Sequence, residues 1–229
     1  MLILRVGTTS IHAVSEARLI SQHRLTVERA PSGEAALDFF HLYEYDAAVI
    51  DFELPDMTGT ELVRHARQAH FGIPCVILAQ HATAPMRIAA LDTGADDFIL
   101  APWEPAEVMA RVRAVVRRSE GHSSTLLQCG QVLMNLAQHA VFVGDRKMDL
   151  SRREYTLLEL LFLRRGMVLT KSAFLNHIYA GMEEAGEKTI DVIICRIRKK
   201  FEAAGVPRLI DTIWGCGHVL HDPGPSPAA

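Results

Sequence analysis

Asp51 ends an apolar run, Ala47 to Ile50, the position at which a parallel strand would deliver a carboxylate into a ligand crevice. An aspartate so placed is positioned as a phosphoryl acceptor is. Phosphoryl transfer depends mostly on positioning and on neutralising charge on the transferred group, by a divalent metal and a nearby cation. Magnesium prefers hard, charged oxygen ligands. Where carboxylates should follow the first apolar run, Leu2 to Val6, the sequence instead has Gly7, Thr8 and Thr9. A metal would be left with Asp51, the carbonyl of Glu53 and, as a substitute ligand, the Glu53 side chain. An unpaired carboxylate at a partly exposed strand end remains hydrated at little cost. The residues therefore read Asp51 as a relic or a structural acid.

The elements that position Asp51 follow an alternating order. Strand-like runs at Leu2 to Val6, Leu25 to Arg29, Ala47 to Asp51, Cys75 to Leu78 and Phe98 to Leu100 are separated by amphipathic helix patterns. Short apolar strands divided by helices imply a doubly wound parallel sheet covered on both faces. Ser32 ahead of Glu34 and Ala35, and Ala82 with Thr83, open two of the helices. After the fifth helix, Glu104 to Arg118, residues 119–124 form a short polar linker.

From Leu126 the pattern changes to short strands, including Gln131 to Asn135, Ala140 to Val143 and Lys147 to Leu150, with a tight turn at Gly144-Asp145. Ser151 with Glu154 predicts a capping box at a helix start. Helices are expected over Thr170 to Tyr179 and Glu187 to Ala204, and two strands, Leu209 to Trp214 and His218 to Leu220, flank Gly215-Cys216-Gly217. The tail, residues 223–229, is too rich in Pro and Gly to pack a core.

The 229 residues suffice for two domains. No apolar run reaches the roughly 18 residues of a membrane span, and the first residues do not read as a secretory signal, so a cytoplasmic protein with no membrane partner is expected. Four cysteines without paired spacing indicate free thiols, leaving open a redox role for Cys195 or Cys216. The eleven histidines are scattered, and neither a metal site nor a cofactor is implied. No nucleophile and base pair or glycine-rich phosphate loop points to an enzyme. Charge is uneven: residues 1–118 carry 11 Arg and no Lys against 15 acids, whereas residues 119–229 carry 13 Lys and Arg against 12 acids.

The basic half concentrates its charge on one helix. At 100 degrees per residue, Ile193, Ile194, Ile197 and Phe201 all fall within about 60 degrees of Ile190, and the five form a core face. The opposite face presents Lys188, Val192, Cys195, Arg196 and Lys199, with Thr189, Arg198 and Lys200 on the flanks. Cations around one bare valine suit the major groove of DNA, where Arg and Lys meet phosphates or guanine edges and an apolar group meets a thymine methyl.

Several motifs fall in order at matching spacing: strand one, Asp51, Leu54-Pro55-Asp56-Met57-Thr58-Gly59, Gly94-Ala95-Asp96-Asp97-Phe98 and Pro102. This half resembles the receiver domain of bacterial response regulators, which implies a flavodoxin-like five-stranded parallel sheet. That family places an acidic pair after strand one, a Ser or Thr after strand four and a Lys before the proline. Here those positions hold Thr8 and Thr9, Ala79 and Ala101, a degenerate pocket. The second half resembles the α+β winged-helix effector domain of the OmpR/PhoB class, with Asp191-Val192 and Arg196 to Lys200 in its recognition helix and Thr212 to His218 as the wing, where Trp214 lies beside DNA. Tyr45-Asp46, Ala114 to Arg118, Leu169-Thr170-Lys171 and Phe174 to His177 narrow the likeness to alphaproteobacterial cell-cycle regulators of the CtrA type.

The resemblance implies domains at 1–118 (receiver-like) and 125–222 (DNA-binding). It implies a symmetric dimer through the face of helix four, strand five and helix five. The charged positions there are Arg87, Asp92, Asp96, Asp97, Glu107, Arg111 and Arg118, and Ile88, Leu91, Val108 and Ala110 are expected to assist. The partners implied are double-stranded DNA with A/T-containing direct repeats, a second copy of the chain, and RNA polymerase. The first expectation is a sequence-specific transcriptional regulator acting without aspartyl phosphorylation. Two others stand beside it: an antagonist or heterodimer partner of a related regulator, and a regulator with residual phosphorylation at Asp51.

Overall fold

The computed structural model describes residues 1–7, 26–179 and 188–221. Thr8, Thr9, the helix expected after strand one and the tail lie outside these residues, so helices are numbered from the first one described. The chain divides into two compact units, Met1–Ser119 and Glu120–Ala229.

The first unit is a five-stranded parallel sheet of β1 (Leu2–Val6), β2 (Thr26–Ala30), β3 (Ala47–Asp51), β4 (Cys75–Ala79) and β5 (Asp97–Leu100) in the order β2-β1-β3-β4-β5. Its helices are α1 (Gly33–Leu42), α2 (Gly59–Gln68), α3 (Ala84–Asp92) and α4 (Pro105–Ser119). The strands β1, β3 and β4 are buried along their whole length, which is why they are almost uniformly apolar. Met1, Ile3, Ala47, Val49, Val76, Leu78 and Ile99 pack on one face with Val108, Met109, Val112, Val115 and Val116 of α4. Val108, expected to assist a dimer, is thus a core residue. It lies on the α4 stripe facing the sheet. Ser32 caps α1 by accepting from the Ala35 amide at 3.2 Å, and Thr58 with Glu61 forms a reciprocal capping box for α2.

The second unit opens with an antiparallel sheet, β6 (Leu126–Cys129), β7 (Val132–Asn135), β8 (Ala140–Val143) and β9 (Arg146–Lys147). The ninth strand is shorter than the run Lys147 to Leu150, because the chain then enters the Ser151–Glu154 capping box that starts α5 (Arg152–Leu163). The helices α6 (Lys171–Tyr179) and α7 (Lys188–Ala203) and the hairpin β10 (Ile210–Ile213), β11 (Gly217–Leu220) complete a winged helix. One core joins the sheet, α5, Phe174, the expected isoleucine and phenylalanine face of α7, and Leu220. Of the residues read as a linker, Ser119 is still helical. Glu120 pairs with Arg164 at 3.4 Å, and a His122 ring nitrogen lies 2.8 Å from the Leu163 carbonyl.

Candidate DNA interface and the Asp51 site

The face of α7 opposite its core is open. Lys188, Val192, Cys195, Arg196 and Lys199 are exposed, and Thr189, Arg198 and Lys200 are half-buried. The flanking residues have internal tasks. Arg198 donates to the Ile210 carbonyl at 2.9 Å and to the Thr212 hydroxyl at 2.7 Å, tying the helix to the wing. Lys200 donates to the Asp149 carbonyl and to Glu154 at 2.7 and 2.8 Å, tying α7 to the start of α5. At the wing tip Trp214 is 91% exposed, with Thr212, Ile213 and Cys216 also open.

Beneath the wing, Asp191 of α7 accepts from Lys171 of α6 at 2.7 Å, and His218 Nε2 lies 3.6 Å from its other oxygen. The Lys171 hydrogen bond lowers the Asp191 pKa, against a smaller desolvation effect. His218 is buried, and its Nδ1 lies 3.1 Å from the Thr212 hydroxyl. Burial, reinforced by the Arg198 charge, lowers its pKa and favours the neutral ring.

Buried Glu154 shows how the same unit responds to acid. Desolvation raises its pKa, but the Lys200 hydrogen bond and the two Ser151 donors outweigh it and hold the group below its ordinary 4.5. A depressed carboxylate pKa contributes stability that is present above 4.5 and lost as pH falls through the folded value. Lys200→Met is therefore expected to cost about 1–3 kcal/mol at pH 7. That loss should shrink below pH 4.5. Urea unfolding across pH checks this; a pH-independent loss would show that the pair does not form.

In the first unit the Asp51 side chain is neither hydrated nor unpaired. It is 3% exposed and forms an ion pair with Arg5, itself 3% exposed. Arg5 lies directly opposite Val49, two residues before Asp51 on the same sheet face, so its guanidinium runs over Val49 toward the carboxyl edge. It also donates to the carbonyls of Val6 at 2.6 Å and Val49 at 3.2 Å. Gly7 leaves room for the carboxylate: a Cβ there would come within 2.7 Å of the Asp51 carboxyl carbon. The expectation of a solvated acid fails because β3 is covered to its last residue and a cation is supplied from β1. Arginine in the otherwise apolar run Leu2-Ile3-Leu4-Arg5-Val6 was the available signal, since arginine is almost never fully buried without a partner. Ala79 is buried and Ala101 half-buried near the same edge.

On the face of α3, β5 and α4, Arg87, Asp92, Glu107, Arg111 and Arg118 are exposed, as are Ile88, Leu91 and Ala110. Arg111 bonds within its own chain to Glu107 at 2.8 Å and Asp97 at 3.2 Å. Asp96 turns to α2 instead, accepting from Arg67 at 3.1 Å and the Cys75 amide at 2.8 Å. Among the described residues no group of three or more His, Cys, Asp and Glu is placed to hold a metal, and no helix is long and apolar enough to cross a membrane.

A parallel receiver sheet followed by a winged helix with an open cationic face defines a response regulator with a DNA-binding output domain. Residues 9–113 match the family described as response regulator receiver domain, and residues 145–220 match that described as transcriptional regulatory protein, C terminal. The chain is 39% identical over 224 residues to the cell cycle response regulator CtrA of Brucella anthropi, and equally to that of Brucella ovis, with 97% of this chain and of each relative covered. DrrB of Thermotoga maritima, described as an OmpR/PhoB homolog, is 24% identical with a TM-score of 0.44, covering 96% of this chain and 98% of that one. The chain belongs to the response regulators with a C-terminal transcriptional regulatory domain and resembles CtrA.

Proposed function

We propose that this regulator binds DNA in a sequence-specific way without aspartyl phosphorylation, with its activity set by abundance or by a protein partner. The Arg5–Asp51 ion pair carries this reading. A carboxylate that is buried and paired with an internal guanidinium, in a sequence with Thr8 and Thr9 where the acidic pair would stand, lacks the metal ligands and the access that transfer requires. Purified chain incubated with acetyl phosphate and millimolar magnesium should give no adduct on the Asp51 peptide by mass spectrometry. A stable adduct there, accompanied by tighter DNA binding, would sink the proposal in favour of residual phosphorylation.

DNA recognition is assigned to the open face of α7, with Lys188, Thr189, Val192, Cys195, Arg196 and Lys199 in the major groove and Trp214 at the backbone or minor groove. A/T-containing direct repeats follow from the likeness to CtrA, and the promoter effect runs through recruitment or exclusion of RNA polymerase. Arg198, Lys200 and Thr212 shape this surface through the bonds described above. Arg196→Ala should cost about 1–3 kcal/mol and relax sequence preference, whereas Lys199→Ala should weaken all sequences alike. Fluorescence anisotropy on specific and scrambled duplexes separates the two, and equal sequence-blind losses would remove Arg196 from base reading.

Dimerisation is assigned to α3, β5 and α4. Exposed Ile88, Leu91 and Ala110 supply apolar area, and Arg87, Asp92, Asp97, Glu107, Arg111 and Arg118 supply both signs of charge. The same surface favours a second reading, a heterodimer partner or antagonist of a CtrA-like relative. Gel shifts distinguish them: specific binding by the purified chain alone supports the regulator, and interference seen only with the relative present supports the antagonist.

A further inference from the structure

The start of α5 stands beside the open face of α7. A groove of about 360 Å³ is lined by Ser151, Arg153 and Glu154 on one side and by Lys188, Thr189, Val192 and Arg196 on the other. Three cations, from two helices far apart in sequence, line one cleft. Its only acid, Glu154, is 4% exposed and accepts from Lys200 at 2.8 Å and from the Ser151 amide at 2.7 Å, so its charge is compensated from within the fold. The cleft is left with an excess of positive charge beside the apolar side chains of Val192 and Ile193.

Position is fixed as well as charge. The Lys200 bonds to Glu154 and to the Asp149 carbonyl, with the Ser151–Glu154 capping box, lock the first turn of α5 against α7. Arg153, exposed in that first turn, is thereby presented on the side of α7 that carries Arg196 and Val192. Nothing in the periodicity of α7 could disclose this, because Arg153 lies more than thirty residues earlier.

We propose that this groove seats a phosphate of the DNA backbone, with Arg153 as a contact beyond the recognition helix and the wing. The inference rests on the DNA-binding reading and adds to it a second wall that fixes the register of α7 on the duplex. Phosphate contacts of this kind position a protein without reading sequence. They release counterions, so each one contributes about 0.9 to the slope of log K against log salt.

The test uses the full chain and an A/T-rich duplex of about 30 base pairs, titrated by anisotropy from 50 to 300 mM salt (roughly the range over which counterion release is resolved). Arg153→Ala should reduce the slope by about 0.9 and weaken binding about fivefold at 150 mM salt, equally on a scrambled duplex. Arg153→Lys should restore most of the slope. A wild-type slope and affinity in Arg153→Ala, with wild-type binding intact, would overturn the groove alone. Absence of duplex binding by the wild type would overturn both the groove and the DNA reading. A loss confined to one sequence would overturn the phosphate assignment, and a matching drop in melting temperature for Arg153→Ala but not Arg153→Lys would assign the residue to folding instead.

Discussion

Asp51→Ala is expected to destabilise the first unit by about 3–5 kcal/mol, because it removes the carboxylate that pairs with the buried Arg5 guanidinium. Removing one partner of a buried pair costs far more than removing both. Arg5→Met combined with Asp51→Leu keeps the volume and takes away both charges, so the double variant should return to within about 1 kcal/mol of wild type or exceed it. Urea unfolding can report on this unit selectively. The chain has two tryptophans; Trp103 is packed against the receiver core, while Trp214 is already exposed at the wing tip and changes little on unfolding. Additive losses in the double variant would show that the two side chains do not pair. The practical corollary is that Asp51→Asn or Asp51→Ala cells report on folding as well as on phosphate, so the paired variant is the sounder probe of function.

The second large effect is expected at the root of the wing. Gly217 has φ +152°, and a Cβ there would lie 2.7 Å from the Leu169 carbonyl carbon and 3.0 Å from the Thr170 Cα. Backbone cannot move aside here without breaking the paired bonds between Leu169 and His218, at 2.8 and 2.9 Å, that stitch β11 to the entry of α6. Gly217→Ala should therefore cost about 3 kcal/mol or more. It should also weaken DNA binding, by displacing Trp214 and the Arg198–Thr212 tie. Gly215→Ala, at φ +74° with open space around it, should cost only about 1–2 kcal/mol. Thermal unfolding together with hydrogen exchange at the Leu169 and His218 amides checks both, and equal costs at the two glycines would refute the steric argument.

The sequence disclosed what is periodic and local. Strand burial in β1, β3 and β4, the capping box of α5, and the buried face of α7 all follow from spacing within one element. What it hid depends on side chains meeting across elements. The Arg5–Asp51 pair joins residues 46 apart in the chain, and the one hint, an arginine in an apolar strand, names no partner. Arg198 and Lys200 carry the same charge as Arg196 and Lys199 on the same helix, and only the neighbouring wing and α5 show that the first two are tied into the fold. The burial of Val108 is hidden for a similar reason: its exposure depends on how α4 rotates against the sheet, and that is a property of the packed pair.

The internal guanidinium also bears on timing. An acyl phosphate is an erasable mark, written by a donor and cleared by hydrolysis, and its lifetime sets how quickly a conventional regulator forgets a signal. Where arginine already fills the counter-charge role there is no mark to erase, so on the proposed reading the memory of this regulator is the lifetime of the polypeptide itself, and synthesis and proteolysis become its on and off switches.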